Sequence, residues 1–203
     1  MWTAAILAGG QARRLGGLDK SALAVGTGTA ANSILERQLA VLRSLTPHIL
    51  IVAREDSPPR AVDVPVVRDL MPGSGALGGI YTALVEAPTE QVLVIACDMP
   101  FVTAPFLERL VACGAESAAD AVVPRDARGR HPLCASYRRT AAPAIKVRLD
   151  AGQLRVLDAL TLLNVHDFGP DELEPFDPDG RLLLNVNTPE DYARAQRRSA
   201  YHE

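Results

Sequence analysis

Residues 3–23 read "TAAILAGGQARRLGGLDKSAL". The stretch starts as an apolar run of strand length and breaks into paired glycines, two arginines, a second glycine pair and Asp19-Lys20. A buried strand that empties into a loop with little side chain and concentrated positive charge suits an anion. Gly9 and Gly10 let the backbone approach a phosphate closely and turn its N–H groups inward. Arg14 can meet phosphate oxygens through its planar fork, and Lys20 adds a point charge. The stretch is neither a Walker A loop nor a dinucleotide fingerprint, because no G-K-[ST] and no G-x-G-x-x-G follows the strand. A flexible turn with a solvated charge cluster is the plain alternative. The position directly after a first strand, together with Arg14 and Lys20, favours a nucleoside triphosphate.

Outward from this loop, strand-like and helix-like segments alternate. "SILERQLAVLRSL" puts Ile34, Leu35, Leu39, Leu42 and Leu45 near one helical face. "HILIVA" and "VPVV" are apolar runs of strand length, the second ending at Arg68-Asp69. "GGIYTALVEA" predicts a helix that starts at glycines, and "QVLVIACD" a buried strand. Thr103 is placed to cap the next helix, with Pro105 in its first turn and "FLERLVACG" as its body. Such alternation predicts an α/β fold, a mostly parallel sheet covered by helices on both faces. Ligands of such sheets sit outside the carboxyl ends of the strands. The glycine loop, Asp69 and Asp98 each follow a predicted strand at once, so all three are expected at one edge.

The later half is less regular. "DAVVP" and "HPLCASYR" read as strands, "TAAPAIKVRLDAG" and "RVLDALTLL" as helices, and "GPDELEPFDPDG" as an acidic, proline-rich loop. Leu182 to Val186 reads as a last strand, Thr188 as an N-cap and Pro189 as the first helical residue. With 203 residues and no internal repeat, the chain is expected to be one domain. Its nucleotide-binding half would run to about residue 100 and its acceptor-binding half over about 101–203.

Composition narrows the partners. Hydrophobic content is 48% and charged content 22%, ordinary for a globular protein, and the net charge is −3. No global field therefore favours nucleic acid or an anionic membrane. No apolar stretch is long enough to span a bilayer, and no basic leader precedes the first strand, so a cytoplasmic protein is expected. Cys97, Cys113 and Cys134 are odd in number and widely spaced, which suggests reduced, buried thiols rather than a disulfide or zinc framework.

Chemistry gathers at the strand ends. A carboxylate such as Asp98, ending a strongly apolar strand, is costly unless paired or metal-bound, and a hard oxygen ligand there suits Mg²⁺. Capping of the following turn is its structural alternative. Asp69 precedes "GSGALGGI", whose backbone could contact a nucleoside or simply open a helix. In "NVNTPED", Asn185 and Asn187 could complete a metal shell or touch an acceptor. Helix capping accounts for Thr188-Pro189-Glu190 but not for both asparagines.

Taken together, "LAGGQARRLGGLDKSAL", "ACDMPFV", "HPLCASY" and "NVNTPED" resemble the molybdenum cofactor guanylyltransferase family, from residue 3 to about residue 198. The resemblance implies a Rossmann-like three-layer nucleotidyltransferase fold. It also implies transfer of GMP from GTP to molybdopterin or the molybdenum cofactor, with Mg²⁺ as cofactor. Proteins that deliver or accept the cofactor would be further partners. Leu7, Ala8, Gly9 and Gly10 then match the nucleotide-binding backbone, with Gly78 on the nucleotide side, and Lys20 matches the phosphate-contacting lysine. Asp69 matches a nucleoside contact and Asp98 the metal ligand, joined by Asn187. Arg14, Lys20 and Asp98 form the catalytic set, and His131, Asn185 and Asn187 the acceptor side, although His131 also suits a structural hydrogen bond.

The chain departs from the family pattern at Val52, where many members carry asparagine, and at Gly75-Ala76-Leu77-Gly78-Gly79, which lacks the usual proline. The loop "VGTGTAANSI" also differs from the family's compact turn. Both of the first two changes fall near the expected base. The same transfer with CTP, or to another phosphorylated acceptor, is the alternative reading, and a non-catalytic nucleotide-binding module is a further one.

Overall fold

A computed structural model of the chain describes residues 1–8, 24–25, 32–54 and 63–199. The loop bearing Gly9, Gly10, Arg14 and Lys20 lies outside the described residues. In chain order the elements begin with β1 (Thr3–Leu7), β2 (Ala24–Val25), β3 (Asn32–Ser33), α1 (Ile34–Arg43), β4 (Ile49–Ala53), β5 (Val66–Arg68) and α2 (Gly75–Glu86). They continue with β6 (Gln91–Ala96), α3 (Ala104–Glu116), β7 (Ala121–Asp126), β8 (Gly129–Arg130), β9 (Cys134–Arg138) and α4 (Ala142–Asp150). α5 (Val156–Ala159), β10 (Val165–Phe168), α6 (Pro170–Leu173) and α7 (Pro189–Ser199) complete the described chain.

The main sheet runs β10-β7-β9-β6-β1-β4-β5, with β8 paired to β7. β5, β4, β1 and β6 are mutually parallel, so their carboxyl ends share one edge. Register aligns Leu7 with both Val52 and Ala96. β9 enters antiparallel between β6 and β7, and β10 closes the far edge parallel to β7.

Alternation along the strands sorts the core into two layers. Ile6, Ile51, Leu93 and Ile95 pack with Leu35, Leu39 and Leu42 of α1 and with Phe106, Leu107 and Leu110 of α3. Ala5, Leu50, Val52 and Val94 pack instead with Leu77, Ile80 and Leu84 of α2 and with Ile145 and Leu149 of α4. The expected helix-covered sheet of three layers is the observed one.

Local signals explain where helices start. Ser33 and Glu36 form a reciprocal capping box on α1: Glu36 N–H donates to Ser33 Oγ at 3.2 Å, and Ser33 N–H to Glu36 Oε2 at 2.7 Å. Thr188 and Asp191 repeat the arrangement on α7 at 3.1 Å in each direction. Thr103 occupies the N-cap position of α3 with an extended backbone, but its side chain makes no capping bond.

Several expectations are corrected. Leu182 to Val186 forms no strand among the described residues. Leu182 and Leu183 are apolar because they are buried in the core on the α1 and α3 side of the sheet, and Val186 because it packs with Ile34 and Ala195, while Asp177 Oδ1 accepts the N–H groups of Arg181 and Leu182 in a turn. The acidic segment from Gly169 is not loop throughout, since α6 and a 3-10 turn over Glu174–Phe176 occupy it. β10 goes unforeseen because only Phe168 of its residues is fully buried. β9 begins at Cys134, because Pro132 lacks an N–H and the chain turns there, Cys134 N–H returning to the His131 carbonyl at 3.1 Å. No helix of the described residues is long and apolar enough to cross a membrane.

Candidate active site

The shared carboxyl edge opens into a cavity of about 380 Å³. Leu7 of β1, Val52 and Arg54 at the end of β4, Asp69 after β5 and Asp98 after β6 all line it. The strand-end rule therefore brings Asp69 and Asp98 together. The same rule points to Arg54, the residue directly after β4, although the sequence reading does not single it out.

Asp98 is held from several directions. Its carbonyl accepts Val186 N–H at 2.8 Å, and its Oδ1 accepts Asn185 Nδ2 at 3.3 Å. The C-terminal segment thus closes onto the end of β6. From beneath, buried Gln38 of α1 donates through Nε2 to the carbonyls of Ala96 at 2.8 Å and Met99 at 3.0 Å. Those acceptors straddle Asp98, so a side chain of α1 fixes the turn that carries the carboxylate.

Asp69 is fixed just as firmly. Its Oδ1 accepts Met71 N–H at 3.0 Å and Thr82 Oγ1 at 2.9 Å, and Thr82 Oγ1 in turn accepts Leu70 N–H at 3.0 Å. The chain then turns through Gly73 and Gly75, both at positive φ (86° and 61°), which favours glycine. Ser74 makes no side-chain capping bond, so Gly75 and Ala76 present the uncapped start of α2 where they line the cavity. Such a helix start is favourable for anionic or carbonyl oxygen.

Val52 and Ala76, which belong to two of the departures from the family pattern, both line this cavity with hydrocarbon. Gly78 is buried in α2 and faces elsewhere: a Cβ there would sit 2.8 Å from the Met71 carbonyl oxygen. Its neighbour Gly79 lines the cavity instead, beside Leu7. Gly78→Ala is expected to destabilise the protein by about 1–3 kcal/mol through this backbone clash, read as a lower denaturation midpoint with an unchanged slope.

Asn187 lies at the start of α7, its N–H donating to Asp191 Oδ2 at 3.2 Å. His131 Nε2 lies 2.9 Å from Asp126 Oδ1. Arg128 grips the other oxygen of the same carboxylate through Nε at 2.8 Å. Burial opposes the ionisation of Asp126, but Arg128 and then His131 outweigh it and hold its carboxyl down at about 2. The folded value lies below the unfolded one, so this contribution to stability is complete above about pH 4 and fades as pH falls toward 2. In Arg128→Met, the Asp126 titration followed by NMR is expected to move up by about one unit.

Comparisons with known proteins bear on the family and the fold. The model of the MobA-like NTP transferase domain matches residues 4–165. The chain is 35% identical over 199 residues to a probable molybdenum cofactor guanylyltransferase of Chloroflexus aggregans, covering 97% of this chain and 94% of that protein. It is 30% identical over 194 residues to the molybdenum cofactor guanylyltransferase of Desulfosudis oleivorans, covering 96% and 94%. Among solved structures, molybdopterin-guanine dinucleotide biosynthesis protein A from Archaeoglobus fulgidus superposes with a TM-score of 0.83 at 28% identity, over 97% of each chain. A 2-C-methyl-D-erythritol 4-phosphate cytidylyltransferase from Thermus thermophilus shares the fold, with a TM-score of 0.67 at 17% identity and coverage of 98% and 99%.

Proposed function

The chain belongs to the MobA-like NTP transferase family, and from that membership we propose that it transfers GMP from GTP to molybdopterin or the molybdenum cofactor, releasing pyrophosphate. The observation that carries this reading is the cavity at the parallel strand ends, where Asp69 and Asp98 converge in a chain alike along almost its whole length to guanylyltransferases.

In this reading the nucleotide occupies the cavity against Leu7, Ala8 and the start of α2. Asp69, pinned by Thr82, presents a fixed acceptor to the nucleoside. Gly9 and Gly10 cradle the phosphates, and Arg14 and Lys20 neutralise the charge that develops on the departing pyrophosphate. The later half, from about residue 101, presents the acceptor, with His131, Asn185 and Asn187 on that side. The contact of Asn185 with Asp98 supports a junction of the two halves at the reacting phosphates. A terminal phosphate of the pterin is already ionised and needs no strong general base. Its attack on the α-phosphorus depends on alignment with the leaving group and on neutralisation of charge.

The oxygen donors here fit Mg²⁺. A half-buried carboxylate follows an apolar strand, and the carboxamide of Asn185, distant in sequence, lies against it in space. Asp98 and Asn187 would hold the ion, which when bound supplies charge neutralisation at the phosphates. We assign the reaction to the cytoplasm, with proteins that deliver or accept the pterin as partners.

Val52 and Ala76 favour one second reading, the same transfer with CTP, because neither side chain can hydrogen-bond a guanine edge. Mass spectrometry of the product separates the two. Incubation with molybdopterin and a mixture of GTP and CTP is expected to yield the pterin extended by GMP. A CMP adduct would move the base preference, and no adduct with either nucleotide would count against the reading.

A further inference from the structure

β10 carries His166 on the same sheet face as Phe168, which packs edge-on against Phe106 of α3 at 6.1 Å. On that face Cys113 of α3, His166 of β10 and Glu172 of α6 each offer one ligand atom, and these atoms all lie within 4.8 Å of one another. Cys113 is only 5% exposed, and its thiol has no hydrogen-bond partner among the described residues. His166 Nε2 is likewise buried without a hydrogen bond, 3.5 Å from Glu172 Oε2. Glu172 is oriented independently, since its Oε2 accepts Gly169 N–H at 3.1 Å ahead of α6. The nearby Arg109 is turned to Glu116 at 3.1 Å.

We propose that Cys113, His166 and Glu172 form a binding site for a divalent transition metal, zinc by its donor set, that ties the edge strand β10 to α3. An ion pair of His166 with Glu172 alone would leave the thiol out. A sulfur, an imidazole nitrogen and a carboxylate oxygen together match zinc and not Mg²⁺, which selects oxygen. Tetrahedral zinc with ligand bonds of about 2.0–2.3 Å separates its nitrogen and oxygen donors by about 3.3 Å and its sulfur and nitrogen donors by about 3.6 Å. The imidazole and carboxylate therefore already stand at the bound separation, and the thiol has about an ångström or less to travel. His166 and Glu172 have side chains 39% and 38% exposed, which leaves the fourth position to water. The site lies on the α3 face of the sheet, whereas α2 walls the nucleotide cavity from the other face. Its consequence is structural: β7 is the sheet partner of β10, and the metal adds a second attachment.

The test uses the full chain, stripped with a chelator, kept in saturating Mg²⁺ and titrated with Co²⁺. One equivalent is expected to bind with a near-ultraviolet thiolate-to-cobalt band, to be displaced by Zn²⁺, and to raise the melting temperature by several degrees. Cys113→Ser should abolish the band. His166→Gln, at a half-exposed position that folding tolerates, should weaken Co²⁺ binding at least about tenfold with an unchanged circular dichroism spectrum. Absence of saturable binding overturns the proposal. So does a band that survives in Cys113→Ser, or an affinity that is unchanged in His166→Gln.

Discussion

Asp98→Asn is expected to lower turnover about 100- to 1,000-fold while leaving GTP binding without Mg²⁺ within about twofold. The substitution keeps the shape of the side chain and an oxygen to accept Asn185 Nδ2, and it leaves the backbone bond from Val186 N–H untouched. What disappears is the negative charge at the end of β6, the feature that suits the position to Mg²⁺ and to phosphates. Single-turnover pyrophosphate release gives the rate, and equilibrium GTP binding in chelator gives the ground state. Turnover equal to that of the parent enzyme would remove Asp98 from the mechanism.

Gln38→Met tests how the carboxylate is held. Gln38 is 1% exposed and spans from α1 to the carbonyls of Ala96 and Met99 on either side of Asp98. Methionine fills a similar volume but donates nothing, so two buried carbonyls lose a partner. At about 1–3 kcal/mol for each stranded group, a loss of about 2–6 kcal/mol in unfolding free energy is expected. Turnover should fall about tenfold in the fraction that remains folded, because the turn carrying Asp98 loses its brace. GTP affinity in chelator should not change, since Asp69 and the start of α2 do not contact Gln38. Lower stability with unaltered kcat would make Gln38 a core residue only.

Much of this architecture is legible in the residues themselves. The runs "TAAILA", "HILIVA" and "QVLVIACD" are strands buried on both faces, and such runs leave little alternative for a parallel sheet. Ser33 and Glu36 mark the start of α1 and Thr188 and Asp191 that of α7, because capping is local and needs no knowledge of the fold. Asp69 and Asp98 could be found because a parallel sheet aligns its strand ends. Applied consistently, that logic also yields Arg54.

The misreadings share one cause. Apolar content reports burial, whatever element provides it. Leu182, Leu183 and Val186 are buried without a ladder, whereas β10 forms a ladder with little burial of its first residues. Gly78 and Gly79 are indistinguishable by type, and only the packing of α2 against Met71 and Leu7 separates their roles. The cluster of Cys113, His166 and Glu172 has no motif spacing, since its members come from three elements that meet only in the fold.

The most direct test of the central claim is pyrophosphate release from GTP, CTP and ATP, each with Mg²⁺, in the presence and absence of molybdopterin. The expected result is release from GTP that depends on the pterin, with CTP and ATP near background. Faster release from CTP, or release from GTP that ignores the pterin, would contradict guanylyl transfer to this acceptor.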